Sequence, residues 1–396
     1  MSGTRFGRGA EVGPVPRTGV TSAAGGLGTS LVAAAGPFVL SRAIVIGALL
    51  LARFVVSNVA SAGRTAVSAS HAGLLGWDAA WYQQITAHGY AVAGRQAVRF
   101  FPLLPLVARV LSRLPGVDAG AALLVVSNVA AFTAFALVHR LAVLETGDDR
   151  TATAAAWWLA LLPASFVLVM GYAESLLLVV SISAFLGLRS GRFAWAAAAG
   201  LLAGACRPVG VLIAVPAAVE VVRDLRRSRR PTVPGLLSRA AAVLAPPAGA
   251  VAYLAWQSGI THSFLLPITE QESSQHRGGL TDPITTLVHD VRDLVRGSHL
   301  GTALHAPWVL VFVALAVVLL LRWPFSYGAY AVATLAVALT AHNLDSLERY
   351  GLGCFPFALA LAGLTRRQQV ERGLLAAAGA LLAAYAVLAF LGLYVP

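Results

Sequence analysis

The chain of 396 residues contains no lysine, so its formal net charge of +12 is carried by arginine. Charge of either sign is scarce, at 12% of residues against about 25% in soluble domains. That scarcity excludes an ordinary soluble domain. The only two cysteines, Cys206 and Cys354, lie in or beside apolar stretches and form no CxxC pair. Without Cys/His spacing of the zinc type, they read as small buried apolar residues. No basic face with interleaved aromatics occurs, which argues against nucleic acid as a partner. The two-residue alternation of outer-membrane barrel strands is also missing.

What remains is hydrophobic. Apolar residues make up 58% of the chain and its mean hydropathy is +0.76. Runs approaching the ~20 residues needed to cross hydrocarbon recur to the C-terminus. The fold class is therefore all-α: a polytopic transmembrane helical protein. About 11 spans are expected, near 36–59, 119–139, 152–170, 173–189, 193–206, 208–222, 238–258, 304–321, 325–341, 350–365 and 373–394. The short pieces 193–206 and 208–222 meet at Arg207-Pro208, where proline breaks the helix. They form either a broken crossing pair or a re-entrant hairpin. Residues 1–30, rich in Gly, Ser, Thr and Pro, read as a disordered cytoplasmic tail. Residues 31–396 read as one multispan domain, with the first span retained as an anchor.

Arginine placement sets the topology. If the apolar stretch 100–114 lies on the surface, then Arg189, Arg192, Arg223, Arg226, Arg227, Arg229, Arg230, Arg366 and Arg367 all fall inside. That is the positive-inside arrangement. Arg109 and Arg113 interrupt 100–114 and favour this choice. The exterior then holds the loops 60–118 and 259–303, the turn at Gly171-Tyr172-Ala173-Glu174, and the loop 342–349. Asp78, Glu174, Arg207, Asp345, Glu348 and Arg349 gather on that one face. Of the first-span arginines, Arg42 reaches the cytoplasmic side by snorkelling. Arg53 either reaches the outer side or points into the site below Asp78.

Two exterior helices are expected to be amphipathic. In Trp77-Asp78-Ala79-Ala80-Trp81-Tyr82, Trp77, Trp81 and Ile85 recur every fourth residue, with Asp78 and Tyr82 on a neighbouring face. An aromatic belt explains the tryptophans but leaves Asp78 unexplained, and an ionisable residue at the bilayer edge is a functional candidate. From Asp282-Pro283 to Gly297 an apolar stripe runs between an Asp N-cap, a first-turn proline and a glycine stop. It reads as a surface helix acting as a structural lid.

The motifs, taken in order, resemble those of PIG-V-type mannosyltransferases. They are the Trp77–Tyr82 segment, His88-Gly89-Tyr90, Phe100-Phe101-Pro102-Leu103-Leu104-Pro105-Leu106, Gly171-Tyr172-Ala173-Glu174-Ser175-Leu176, Gly204-Ala205-Cys206-Arg207-Pro208-Val209-Gly210, and Glu348-Arg349-Tyr350 leading into Phe355-Pro356. They extend across roughly residues 40–365. The resemblance implies a membrane enzyme of the glycosyltransferase C type. Such an enzyme takes sugar from a polyprenyl-phosphate donor on the non-cytoplasmic side of the cell membrane. It implies Asp78 as the base that accepts the proton of a glycolipid or glycan acceptor, with inversion at the anomeric carbon. Arg207 and Arg349 are candidates for the donor phosphate, since guanidinium binds phosphate bidentately. Trp77, Trp81, Tyr82, Glu174 and His342 are expected around the substrates; His88 is a weaker candidate. The local alternatives are a helix-terminal role for Glu174, snorkelling for Arg207, and pairing of Arg349 with Asp345 or Glu348. The family tends to have proline before the arginine; here Glu348 stands there, in a position to neutralise Arg349. No cofactor is expected, and no second Asp-rich motif supports a metal, although carboxylates plus donor phosphate can hold a divalent ion. The competing readings are a transporter or lipid flippase, and a membrane scaffold. The single break at Arg207-Pro208 has no counterpart of the kind that paired transporter repeats show.

Overall fold

The structure, a computed structural model, describes residues 26–59, 63–227, 232–272, 278–279, 281–297, 304–364 and 367–394. Residues 1–25 of the expected tail, together with Arg229, Arg230 and Arg366, lie outside the described residues. The tail reading ends early, because residues 27–30 already belong to the first helix.

Every regular element described is helical. The first half runs α1 (Leu27–Asn58), α2 (Arg64–Ala72), α3 (Asp78–His88), α4 (Tyr90–Ala93), α5 (Leu103–Leu111), α6 (Ala119–Thr146), α7 (Asp149–Leu161), α8 (Glu174–Arg189) and α9 (Phe193–Cys206). Next come α10 (Ala214–Arg227), α11 (Val233–Thr261), α12 (Leu266–Gln271), α13 (Pro283–Arg296) and α14 (Ala306–Arg322). The chain closes with α15 (Phe325–Leu339), α16 (Leu347–Gly353), α17 (Pro356–Leu364) and α18 (Gln368–Phe390).

Among the described helices, α1, α6, α11 and α18 are long and apolar enough to cross a membrane unaided. Several other expected spans are shorter or broken. The stretch 152–170 is α7 followed by a 3₁₀ segment, Pro163–Leu168. The stretch 208–222 opens with the 3₁₀ segment Pro208–Ile213, and 350–365 breaks between α16 and α17 before Pro356. At 1.5 Å per residue, the 16 residues of α8 cover about 24 Å, less than the ~30 Å of hydrocarbon. Such helices are tolerated at membrane depth because they are enclosed by others, so irregular backbone around them need not meet lipid. Helix α5, with nine residues, covers only about 13 Å and is too short to cross.

Small residues let the bundle close. Helices α9 and α11 pack tightly, with Gly200, Gly204 and Gly249 facing the backbone of the opposite helix. A Cβ on Gly204 would collide with the Pro246 carbonyl oxygen, and one on Gly249 with that of Leu201. This is small-residue packing, in which close van der Waals contact replaces a hydrophobic drive that lipid cannot supply.

The intramembrane charges are satisfied internally. Arg42 does not snorkel: its Nε donates to Asn128 Oδ1 at 3.0 Å and its Nη2 to the Leu168 carbonyl at 2.9 Å. Arg53 does not point into a site below Asp78; its Nε donates to the Ser70 carbonyl at 3.2 Å. At the C-terminal end of α8, Arg189 bonds both oxygens of Glu145 at 2.5 and 2.9 Å and Glu220 Oε1 at 2.8 Å. The opposite end of the same helix begins with Glu174, so α8 separates two clusters of buried charge.

Candidate active site

The turn before α3 is strained. Trp77 has φ 56° and ψ −130°, a region that a residue with a Cβ rarely adopts. Two hydrogen bonds hold it there. The Trp77 indole donates to the Ala389 carbonyl at 3.1 Å, and the Asp78 amide donates to the Tyr172 hydroxyl at 3.2 Å. The Gly171 amide also donates to the Leu74 carbonyl at 3.1 Å, joining the segment between α1 and α6 to the turn before α8. A Cβ on Gly171 would press on Leu75, Ala79 and Leu123 at 3.3–3.4 Å, so glycine permits this approach. The strain therefore aims Asp78, the first residue of α3, toward the start of α8.

There the charges interlock. Arg349 Nη2 lies 2.8 Å from Asp78 Oδ2, while Arg349 Nε donates to Glu174 Oε1 at 2.7 Å. Arg207 donates to that same Glu174 oxygen. Glu174 and Arg349 are buried, with side chains 2% and 7% exposed, whereas Asp78 keeps 33% of its side chain open. The Arg349 guanidinium also sits 5.0 Å from the centre of the Tyr172 ring. Glu174 is thus the buried anchor of two arginines, and Asp78 is the exposed end of the chain.

Arg207 is placed by the helix break. Its backbone is extended, with φ −156° and ψ 154°, because Pro208 disfavours helical geometry before it. Arg349 sits on the short helix α16, which starts from Ser346 in the left-handed region at φ 67°. Glu348, its neighbour, does not serve to neutralise it: Glu348 Oε2 lies 2.5 Å from His305 Nδ1, on the far side of α16. The carboxylates on Arg349 come from α3 and α8 instead.

Asp78, Arg207 and Arg349 line a cavity of about 550 Å³ together with Trp77, Tyr82, Arg99, Phe100, Phe101, Gln271, Asn343, Asp345 and Tyr350. Three expected substrate contacts are not in its wall: Glu174, which is held by Arg207 and Arg349, Trp81 and His342. Trp81 stacks on Phe100, ring centres 5.9 Å apart, and so braces the wall from behind. His342 is exposed, with Nδ1 3.4 Å from the Thr281 hydroxyl. His88 is exposed as well. A second cavity of about 590 Å³ opens at the other end of α8, lined by Glu145, Asp148, Arg150, Arg189 and Glu371. There Arg150 pairs with Glu371 at 3.0 Å and Arg189 with Glu145, while the first cavity is the one that holds the motif residues Asp78, Arg207 and Arg349 and so is the better candidate.

Arg99 was missed by sequence reasoning because nothing in the pattern distinguishes it from Arg95 or Arg109. It lies in the cavity wall, 5.2 Å from the Phe100 ring centre, and its Nε donates to the Gln96 carbonyl at 3.2 Å. Burial pushes its guanidinium below arginine's ordinary value, with Asp78 and Glu270 acting in the opposite sense. Arg207 and Arg349 each hold a carboxylate within bonding distance; for Arg99 the structure gives a carbonyl. Arg95 bridges to Glu270 on α12 at 2.5 Å and ties the first loop to the second across the cavity mouth. Among the described residues no group of three His, Cys, Asp or Glu has metal-ligand geometry.

The fold and this charged pocket define a multispan helical membrane protein. Residues 46–215 match the family described as Mannosyltransferase (PIG-V), the family to which the motifs point. The matched segment carries Asp78, Arg99, Glu174 and Arg207; Arg349 lies beyond it. Among solved structures, the chain is similar to ArnT from Cupriavidus metallidurans, crystallised bound to undecaprenyl phosphate. That likeness has a TM-score of 0.50 at 19% identity and covers 76% of this chain. The chain spans only 58% of the length of that solved chain. No curated protein matches it significantly.

Proposed function

We propose that the protein is a glycosyltransferase that moves a mannosyl residue from a polyprenyl-phosphate carrier to a hydroxyl of a glycolipid or glycan acceptor. The reaction takes place on the non-cytoplasmic face of the cell membrane and inverts the anomeric carbon. The observation that carries this reading is Asp78: a partly open carboxylate in a cavity wall that also presents Arg99, Arg207 and Arg349. Acceptor attack forms a new C–O bond at the anomeric carbon while the bond to the phosphate oxygen breaks. Asp78 takes the acceptor proton, and polyprenyl phosphate leaves with its full negative charge.

The charge inventory supports this division of labour. Asp78 and Glu174 balance Arg207 and Arg349, so the resting tetrad is neutral. Arg99 supplies the additional cation for the donor phosphate. As charge builds on the leaving group, Arg349 shifts its pairing from Asp78 toward phosphate, which leaves Asp78 free to act as base. Positioned guanidinium groups in a site shielded from water stabilise such developing charge. Two further facts agree with a lipid-linked donor. The family matched is a mannosyltransferase family, and the similar solved chain was bound to a polyprenyl phosphate. No metal ion and no cofactor enters the proposed chemistry.

The test uses membranes that carry the protein, labelled polyprenyl-phosphate mannose, and extracted glycolipid as acceptor. Label should pass to the acceptor; membranes rich in folded protein that transfer nothing would remove the proposal. Topology is checked separately with Asp78→Cys, which an impermeant thiol reagent should label from outside intact cells. Labelling only after lysis would put the site on the wrong face. In the same assay Arg99→Gln should raise the donor KM by about tenfold or more, the scale of one lost charge-assisted contact of about 1.5–3 kcal/mol. The expected change in kcat is smaller. An unchanged KM would return the phosphate to Arg207 and Arg349 alone.

A further inference from the structure

Beyond the cavity wall lies a second group of buried ionisable residues that the proposed chemistry does not use. His305, fully buried, precedes α14. Its Nδ1 lies 2.5 Å from Glu348 Oε2 on α16, and its Nε2 lies 3.8 Å from Asp345 Oδ1 in the turn before α16. Asp290, 5% exposed, faces the same group from α13. Tyr394 packs on the imidazole with ring centres 4.9 Å apart. One imidazole therefore stands among three carboxylates drawn from α13 and the α16 region.

The surroundings of this hub show what holds it. Glu348 Oε1 and Asp290 Oδ2 are buried without a hydrogen-bond donor among the described residues. His305 is the basic group that touches both Glu348 and Asp345, while Tyr394 also faces Glu348 and His289 lies 3.8 Å from Asp290. Burial pushes the Asp290 carboxyl above the ordinary aspartate range, while His289 and His305 pull it back. The other titratable groups facing the hub are Tyr394, Tyr385 near Glu348, and Asp293 beside His289. Helix α13 is otherwise fixed by Leu287, which packs against the core, and by the buried Thr286. Asp282 caps it, accepting from the Thr285 amide at 3.1 Å, but Ile284, Val288, Val291 and Val295 are all exposed.

Glu348 and Arg349 are consecutive on a two-turn helix, about 100° apart around its axis, and bond in different directions. Locking one therefore sets the rotation of the other. We propose that His305 is a positioning residue: by holding Glu348, it fixes α16 so that Arg349 reaches the cavity, and by holding Asp290 it keeps α13 seated beside the same site. His305 touches no substrate itself. The imidazolium form is the one that neutralises the acids, so the hub is complete at low pH. It weakens as pH rises through the point at which His305 loses its proton. The catalytic part of this inference rests on the transferase reading.

The experiment has two arms so that the two ideas fail separately. In the first, amide hydrogen exchange is measured on the purified full chain. Residues 283–296 and 347–353 should be protected at about pH 6 and measurably looser at the alkaline end of a pH series carried as far as the fold allows, after correction for intrinsic exchange. His305→Gln should be loose across the series. Asp290→Asn, which keeps the size of this buried side chain, should loosen 283–296 alone. In the second arm, His305→Gln and Glu348→Gln should each raise the donor KM by about tenfold with kcat within about threefold. The double variant should be no worse than either single, as expected of one coupled pair. Wild-type-like exchange and KM in His305→Gln would overturn the proposal, as would protection independent of pH in the wild type. If the wild type transfers no sugar at all, the transferase reading falls and the exchange arm still decides whether the hub exists.

Discussion

Asp78→Asn should lower the rate of sugar transfer by about two to four orders of magnitude, the usual contribution of a positioned general base. The substitution keeps the shape of the side chain and its place at the start of α3, so the strained turn at Trp77 should survive. What disappears is the ability to accept a proton. Arg349 simultaneously loses the carboxylate that lies 2.8 Å from it. It becomes more available to the donor phosphate, and donor affinity should hold or tighten while kcat collapses. That combination separates loss of a base from loss of a binding contact, which would raise KM instead. Single-turnover transfer and equilibrium binding of the lipid donor, measured on the same preparation, give both quantities. A variant that folds, binds donor and turns over at the wild-type rate would end the role proposed for Asp78.

Glu174→Gln should act on stability more than on any single kinetic constant. Glu174 is almost wholly buried and accepts from both Arg207 and Arg349. Neutralising it removes the carboxylate that the two guanidinium groups share. Removing one partner of a buried ion pair typically costs about 3–5 kcal/mol, because the remaining charge stays out of water. The thermal unfolding midpoint in detergent should fall well below that of the wild type. Adding Arg207→Met should recover part of the loss, since it removes one of the stranded charges. A Glu174→Gln protein as stable as the wild type would mean that water reaches these arginines and that Glu174 does not anchor the tetrad. Asp78→Asn should cost much less stability, because Asp78 is one-third exposed.

The contrast between these two carboxylates shows how far the sequence could be read. Both were candidates from their neighbours alone, Asp78 among aromatics and Glu174 after an exterior turn. Their division into open carboxylate and buried anchor was not legible. It depends on Arg349, which is 175 residues from Glu174 in the chain and meets it only when α16 packs against the start of α8. The pairing of Glu348 was misread for the same reason. Adjacent residues on a short helix point to different sides, and only the placement of His305 determines which side Glu348 takes. His342 and Trp81 were nominated by motif proximity, yet one is exposed beside Thr281 and the other braces Phe100 from behind. Arg42 illustrates the opposite error. Snorkelling is a sound expectation for an isolated helix, but Asn128 and the Leu168 carbonyl offered it partners inside the bundle.

By itself the sequence determined the features that depend on composition and short-range pattern. A chain so apolar, with so few charges and with arginine at the ends of its runs, has to be a multispan helical membrane protein. A polar group left in hydrocarbon costs too much for another outcome. The caps of α13 and the break at Arg207-Pro208 were equally local, since each depends on residues within a turn of one another. The tertiary structure decided the rest: which helices cross whole and which are completed by irregular segments, and which carboxylate each arginine holds. It also decided that Arg99 is in the cavity wall. Electrostatic pairing acts over a few ångströms in space, and separation along the chain carries no information about it once the helices have packed.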